Sequence, residues 1–210
     1  MDQLRIEKKC EKCGSVIEFW KDGQCYVVSC PCQLVDYKRL VLGERFANIR
    51  LEDIKPRTSR QAEIKCMFLK KPMDSYFLWG ELNTGKSHFL ASLYDYAVDH
   101  DYLHEARFFT DRELKRDLID FEMDRLGDRI PTFSVDFLRQ GVVRQVFWDD
   151  IGKVKISEFV QQEIFAIVDE IFRRNLKLAC TSNFSLDELG EILGNPIVRR
   201  ITDICKVIKF

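Results

Sequence analysis

The eight residues GELNTGKS, at positions 80–87, have the spacing of a phosphate-binding loop, GxxxxGK followed by Ser or Thr. Such a loop needs glycines where the backbone wraps an anion, a lysine for the phosphate charge and a hydroxyl for Mg²⁺. Here Lys86 is the predicted phosphate ligand and Ser87 a predicted magnesium ligand. The residues predicted to contact ATP are Gly80, Glu81, Leu82, Asn83, Thr84, Gly85, Lys86, Ser87 and His88.

Asn83 lies at a position where most loops of this kind have glycine. A glycine is useful there if the backbone φ is positive, and Asn is the non-glycine residue that best adopts left-handed backbone. We therefore expect the loop to keep its shape at a small cost in stability. Glu81 brings a negative charge towards the phosphates, which is unfavourable unless its side chain points to solvent.

Two further polar groups follow apolar runs of strand type. VFWDDIG, residues 146–152, ends in Asp149 and Asp150. A carboxylate at such a strand end can hold magnesium, and a second can orient or activate the attacking water, so we assign these roles to Asp149 and Asp150 respectively. The alternative is a polar strand end that caps the following turn. In ACTSNF, residues 179–184, an amide at Asn183 could hydrogen-bond the γ-phosphate and the water, although Ser/Asn clusters are also common in turns.

The elements that must position these residues alternate along the chain. Strands are predicted over residues 75–79, 105–109, 144–148, 176–181 and 206–210. Helices are predicted over residues 58–72, 88–100, 111–126 and 156–172, after Ser185 and from Asn195-Pro196, where Asn195 is the predicted cap and Pro196 follows it. Three helices begin with the spacing of a capping box, at Thr58/Gln61, Thr110/Glu113 and Ser185/Glu188. Apolar strands between helices predict a parallel α/β sheet covered on both faces.

The front of the chain has a different character. Of the eight cysteines, five fall between positions 10 and 32. The apolar runs 16–20 and 25–29 flank Asp22-Gly23, a pair that favours a tight hairpin. The register predicted across this turn pairs Lys21 with Gln24, Trp20 with Cys25 and Val16 with Ser29.

The mouth of this hairpin brings two close cysteine pairs together. Cys10, Cys13, Cys30 and Cys32 form a set of four thiolates, as in a structural zinc site. Cys25 is excluded as a ligand because it lies on the order of 16 Å from the mouth, at about 3.3 Å per strand residue. The alternative is a set of free buried thiols.

The domain boundary is predicted near residue 45, giving a zinc module over 1–45 and a nucleotide-binding domain over 46–210. Cys66, Cys180 and Cys205 are interpreted as core residues. The formal net charge is −1, so any nucleic-acid contact must use a local patch. With no apolar run long enough to span a bilayer and a charged start, the chain is expected to be cytoplasmic.

Taken together, these segments resemble the AAA+ ATPases, and in particular the bacterial and phage helicase loaders of the DnaC/DnaI type, of which the transposition helper IstB is a close relative. YFLWGELNTGKSHFLASL resembles the Walker A segment, VFWDDIGKVKISEF Walker B, LACTSNFSLDELGEILG sensor 1 and NPIVRRITD the arginine-finger segment. The cysteine-rich front resembles the zinc-bearing N-terminal module of many loaders. The resemblance covers nearly the whole chain.

The resemblance implies roles for individual residues. Asp150 takes the catalytic acidic role beside Lys86, Asn183 is sensor 1, and Arg200 is the arginine finger that would reach a neighbouring subunit's ATP, with Arg199 as the second candidate. Without the resemblance, both arginines are solvated helix charges. The C-terminal lid of many other AAA+ proteins is expected to be absent, as in the loaders. Asn83 departs from the family, so slow hydrolysis is expected.

The implied function is ATP-dependent loading of a hexameric replicative DNA helicase onto single-stranded DNA, with ATP-driven self-association and with the front module gripping the helicase. Lys153 and Lys155 are candidate DNA contacts, or else part of a solvated loop. The alternatives are an IstB-like transposition helper acting on duplex DNA, a P-loop kinase, and a non-catalytic adaptor that binds helicase.

Overall fold

The computed structural model describes most of the chain. The described residues are 5–9, 16–21, 24–27, 38–47, 49–102, 105–123, 133–152 and 157–210. They form two compact units, Met1–Asn48 and Ile49–Phe210. None of the helices in these ranges is long and apolar enough to cross a membrane.

The first unit contains a small antiparallel sheet. Its strands, in the order β1-β2-β3, are β1 (Arg5–Lys9), β2 (Val16–Lys21) and β3 (Gln24–Val27), and residues 38–42 are helical (α1). In the β2–β3 hairpin Trp20 pairs with Cys25 and Lys21 with Gln24, so the predicted register is confirmed at these positions. Strand β1 was not predicted, because its mostly charged residues show no strand pattern.

The predicted zinc ligands cannot be located in this unit. Cys10, Cys13, Cys30 and Cys32 lie outside the described residues, as does Ser29, the predicted partner of Val16. Within the described ranges no group of three or more His, Cys, Asp or Glu side chains could hold a metal ion.

The second unit is built on a five-stranded parallel sheet of order β5-β6-β7-β4-β8. Its strands are β4 (Tyr76–Trp79), β5 (Ala106–Thr110), β6 (Gln145–Ile151), β7 (Lys177–Ser182) and β8 (Lys206–Lys209). All five were predicted. The carboxyl ends of β4, β6 and β7 lie side by side, which brings together the segments after residues 79, 148 and 181.

Seven helices of this unit are described, with a single π-helical turn. They are α2 (Ser59–Lys70), α3 (Lys86–Ala97), the π-turn Val98–Tyr102, α4 (Asp111–Met123), α5 (Val135–Arg139), α6 (Glu158–Arg173), α7 (Leu186–Leu193) and α8 (Asn195–Ile204). The short helix α5 and the π-turn were not predicted.

Helices cover both faces of the parallel sheet, as predicted. On one face, α2 and α3 pack against it through aromatic contacts such as Phe68–Tyr76, with ring centroids 4.6 Å apart, and Tyr94–Phe147, at 5.3 Å. On the other face, helices α4 to α8 enclose the main core around Trp148, which is fully buried. Phe147 and Trp148 face opposite sides of the sheet because successive side chains of a strand alternate between its two faces.

Three local predictions need correction. Cys66 is exposed, unlike the buried Cys180 and Cys205, because it lies on the outer side of α2. Gln61 does not complete a capping box, since its side-chain Oε1 accepts from the backbone N–H of Arg57 rather than from that of Thr58. Helix α8 is capped at Gly194, so Asn195 is its first residue rather than its cap.

Candidate nucleotide site

The phosphate loop, residues 80–87, joins the end of β4 to the start of α3. Asn83 has φ +61° and Gly85 has φ +95°. The loop therefore requires left-handed backbone at both positions, and asparagine and glycine are the residue types that tolerate it. Gly80 has φ +147°, and a Cβ there would lie 3.0 Å from the carbonyl oxygen of Phe210. Glycine at position 80 therefore accepts the positive φ and avoids a tight contact with Phe210, the residue after β8.

Lys86 is buried and holds the loop from inside. Its Nζ donates to the carbonyl oxygens of Gly80, at 2.9 Å, and Glu81, at 2.7 Å, and lies 3.3 Å from Thr84 Oγ1. An ammonium group has three donors. The lysine is therefore fixed at the centre of the loop by the same backbone that would surround an anion. Glu81 is itself exposed.

Ser87 and Asp149 meet across the site although 62 positions separate them. Ser87 Oγ donates to Asp149 Oδ1 at 3.0 Å, and Asp149 is 8% exposed. A hydroxyl and a carboxylate are the hard oxygen ligands that Mg²⁺ binds, usually with several waters and substrate phosphates completing its shell. These two side chains therefore fit the predicted magnesium role.

The acidic strand end, residues 148–152, is irregular. Trp148 pairs with Cys180 and Ile151 with Ser182, so β6 has one more residue than β7 in this interval, and Asp150 has φ +63°. Such a β-bulge bends a strand and re-aims its side chains, and bulges are frequent beside active sites.

The bulge brings the second aspartate to the predicted amide. Asn183 Nδ2 donates to Asp150 Oδ1 at 3.2 Å. The phosphate loop, the Ser87–Asp149 pair and the Asp150–Asn183 pair thus converge at the carboxyl ends of β4, β6 and β7. The fit of this arrangement to a magnesium nucleotide rests on the left-handed loop around Lys86 and on the paired oxygens of Ser87 and Asp149.

Sequence reasoning did not assign Gln61 or Thr181 to the site. Gln61 Nε2 donates to the carbonyl of Thr84 at 2.8 Å, and so ties the start of α2 to the phosphate loop. Thr181 Oγ1 donates to Asp149 Oδ1 at 2.5 Å and accepts from Asp150 N–H at 2.8 Å. Both contacts join segments far apart in sequence, and only the position of Thr181, two residues before Asn183, gave any signal.

A buried ion pair supports the acidic strand end from α4. Lys115 Nζ lies 2.7 Å from Asp111 Oδ2, and each side chain is 1% exposed. The same carboxylate oxygen accepts from the N–H of Gly152 at 3.3 Å. The turn that follows Asp150 is therefore bonded to a buried charge.

The remaining predicted residues lie outside this cluster. Arg200 Nε donates to Asp169 Oδ1 at 3.0 Å, and its guanidinium lies 4.4 Å from the centre of the Phe172 ring. Arg199 is exposed. Lys153 and Lys155 lie outside the described residues.

The sheet order, the phosphate loop between β4 and α3, and the acidic end of β6 define a P-loop domain with the AAA+ fold. Comparison with solved structures supports this assignment. The DnaC helicase loader superposes with a TM-score of 0.65 at 19% identity, over 80% of this chain and 99% of that chain. DnaI gives a TM-score of 0.63 at 19% identity, over 86% of this chain and 94% of that one.

The replication initiator DnaA has a similar fold. DnaA from Aquifex aeolicus, solved with AMPPCP bound, gives a TM-score of 0.62 at 14% identity, over 77% of this chain and 49% of its own. No protein-family model and no curated protein matches the chain. The resemblance to DnaC and DnaI is thus confirmed in the fold.

Proposed function

We propose that this protein is an ATP-dependent loader of a replicative DNA helicase. The observation that carries the proposal is the convergence of Lys86, the Ser87–Asp149 pair and the Asp150–Asn183 pair. They converge in a fold that aligns with 99% of the DnaC chain. The fold supports a replication protein of the AAA+ type, and the site supports ATP as its ligand.

In this proposal each side chain has one task. Lys86 would bind the β- and γ-phosphates, while Ser87 and Asp149 would hold Mg²⁺, which would supply positive charge to neutralise the phosphates. Asp150 would orient the attacking water, and its bond to Asn183 keeps the amide beside the Asp150 carboxylate. ATP binding in this proposal requires Lys86 Nζ to exchange its bonds to the Gly80 and Glu81 carbonyls for bonds to phosphate oxygens, while the carboxyl ends of β4, β6 and β7 already lie side by side.

Partners follow by analogy with the structural neighbours. The DnaC structure is that of a helicase loader, and DnaA has been solved with AMPPCP and single-stranded DNA. We infer a hexameric helicase and single-stranded DNA as partners here, with residues 1–45 gripping the helicase and Lys153 and Lys155 contacting DNA.

ATP-dependent self-association would use Arg200 as an arginine finger. In the structure this guanidinium is bonded to Asp169 and lies over Phe172. Reaching a neighbouring subunit therefore requires both contacts to be released, and Arg199, which is exposed, remains the second candidate.

The test is assembly with the hexameric helicase of the same source, followed by light scattering with and without ATP. We expect a stable complex whose mass depends on ATP, and loss of that dependence in Lys86→Ala. Lys70→Ala, an exposed lysine of α2 outside the loop, is the matched control and should behave as wild type.

Absence of any complex would contradict the loader proposal. Binding of duplex DNA together with a transposase would then favour the transposition helper. A complex that forms equally well with Lys86→Ala and retains function would favour the non-catalytic adaptor.

The zinc module is a separate part of the proposal. We infer that Cys10, Cys13, Cys30 and Cys32 hold one structural Zn²⁺, which would stabilise a unit too small to have much core of its own. Elemental analysis of purified protein should give one zinc per chain, and Cys25→Ser should keep it whereas Cys30→Ser should lose it. Absence of stoichiometric zinc from the pure protein would rule out the site.

A further inference from the structure

We propose that Thr181 is a positioning residue that holds Asp149 and Asp150 in their two different roles through one buried hydroxyl. The side chain is fully buried at the end of β7. It touches both members of the aspartate pair, one by its carboxylate and one by its backbone. This inference rests on the proposed function, because it concerns the same site.

The need for such a residue arises from the bulge. In a regular inner strand, successive side chains point to opposite faces and successive backbone N–H groups bond alternately to the two neighbouring strands. Here the pairing of β6 with β7 is interrupted between Trp148 and Ile151. The N–H of Asp150 bonds instead to Thr181 Oγ1, at 2.8 Å.

The hydroxyl meets two requirements at once. A threonine hydroxyl has one donor and two acceptor positions. Its donor is used on Asp149 Oδ1, at 2.5 Å, and one acceptor position is used by Asp150 N–H. The orientation of the magnesium-side carboxylate and the backbone that turns Asp150 towards Asn183 are therefore fixed by the same oxygen.

The chemistry of the hydroxyl explains why threonine is suited to this position. Valine has nearly the same shape but cannot donate or accept, so it would leave Asp150 N–H without this acceptor and release one bond to Asp149. Serine keeps the hydroxyl. Partners that orient a metal-binding carboxylate commonly change metal affinity or activity on the order of 10- to 100-fold when removed.

The experiment compares full-length wild type with Thr181→Val and Thr181→Ser. Binding of a fluorescent ATP analogue is titrated with Mg²⁺ and again with EDTA, and the ratio of the two affinities measures coupling between nucleotide and metal. We expect Thr181→Val to lower this ratio about tenfold, with little change in EDTA, and to lower kcat more than it changes KM. Thr181→Ser should restore both.

Ser75→Ala is the matched control. Ser75 Oγ is a buried hydroxyl that accepts from the N–H of Leu178. Leu178 lies on β7, as Thr181 does, but towards the opposite end of the strand. A purely structural role for Thr181 predicts that the two variants lower thermal stability alike and leave the affinity ratio unchanged.

The outcomes separate the two proposals. If wild type binds no nucleotide, the proposed function fails, and the role of Thr181 fails with it. If wild type binds with a clear magnesium dependence and folded Thr181→Val keeps the same ratio, only the role of Thr181 is overturned. Thr181→Ala, which adds no methyl group beside the carboxylate, is titrated instead if Thr181→Val does not fold. A folded Thr181→Ser with a valine-like ratio would also overturn the proposal.

Discussion

The phosphate loop and the acidic strand end form the two halves of one site, yet different physical rules shape them. The loop is shaped mainly by its own residues: positive φ at Asn83 and Gly85 and the bonds of Lys86 to its own loop all fall within eight residues, and Gln61 adds one bond from α2. The strand end is determined by other elements, since Asp149 and Asp150 are positioned by Thr181, more than 30 residues away. A local sequence pattern therefore predicts the shape of the phosphate loop. For the acidic strand end it predicts only which residues take part, not how they are placed.

The largest effect is expected where the acidic strand end depends on the buried ion pair. Lys115→Met should lower the free energy of unfolding by about 3–5 kcal/mol, because it removes the ammonium group that is paired with the buried Asp111 carboxylate. Urea denaturation followed by circular dichroism measures the change. If the strand end were held locally, as the phosphate loop is, the variant would behave like a surface substitution.

The control for this prediction lies one residue further along α4. Arg116 forms an ion pair of the same spacing with Asp120, at 4.0 Å, but its side chain is 82% exposed. Arg116→Met should therefore cost about 0–1 kcal/mol. Equal costs for the two variants would mean that burial of the Asp111–Lys115 pair is not what stabilises this region.

A smaller effect is expected in the phosphate loop. Asn83→Ala should lower the free energy of unfolding by about 1 kcal/mol, because alanine adopts left-handed backbone less readily than asparagine. Asn83→Gly should stay within about 0.5 kcal/mol of wild type, since glycine accepts the same φ. Denaturation curves of the two variants, measured beside nucleotide affinity, check the difference.

The pair of variants also tests why asparagine occupies this position. Equal stability of Asn83→Ala and Asn83→Gly would show that backbone conformation is not the reason. Weaker nucleotide binding in both variants, with stability unchanged, would indicate a role for the amide itself.

The same contrast explains how far the sequence predicts this molecule. The five parallel strands follow from short apolar runs, and the caps at Thr110 and Ser185 follow from spacing of three residues, because both signals are local. The bulge at Asp150 has no such signal, since it depends on how β6 pairs with β7. Gln61 was assigned to a cap for the right spacing, but its amide reaches Thr84 because α2 packs beside the loop.

Missed elements have similar causes. Strand β1 is mostly charged, so its pairing with β2 and not its composition makes it a strand. Cys66 looked like a core residue from its apolar neighbours, yet it faces outward because the period of α2 places Ile64 and Phe68 inside. Strand β1 thus depends on a pairing partner, whereas the position of Cys66 follows from the helical period and not from the composition of its neighbours.

The smallest effect is expected from a local feature next to the acidic strand end, the capping box that begins α7. The N–H and the hydroxyl of Ser185 donate to Glu188 at 2.7 and 2.8 Å, and these bonds, the backbone one first, lower the pKa of Glu188 from its ordinary 4.5. A carboxyl whose pKa is lowered in the folded state adds stability at pH values above its pKa in the unfolded chain. This stability is lost as the pH falls through the folded-state pKa.

Glu188→Gln should therefore flatten the fall in stability below about pH 4.5 while changing it little at pH 7, because glutamine can also complete a capping box. Thermal unfolding between pH 3 and pH 7 measures this. Glu191→Gln, on the same helix and also exposed, should keep the wild-type slope. If both variants or neither flattened the fall in stability, the bonds between Ser185 and Glu188 would not be the source of that fall. Local capping would then contribute less to this side of the site than the long-range bonds of Thr181.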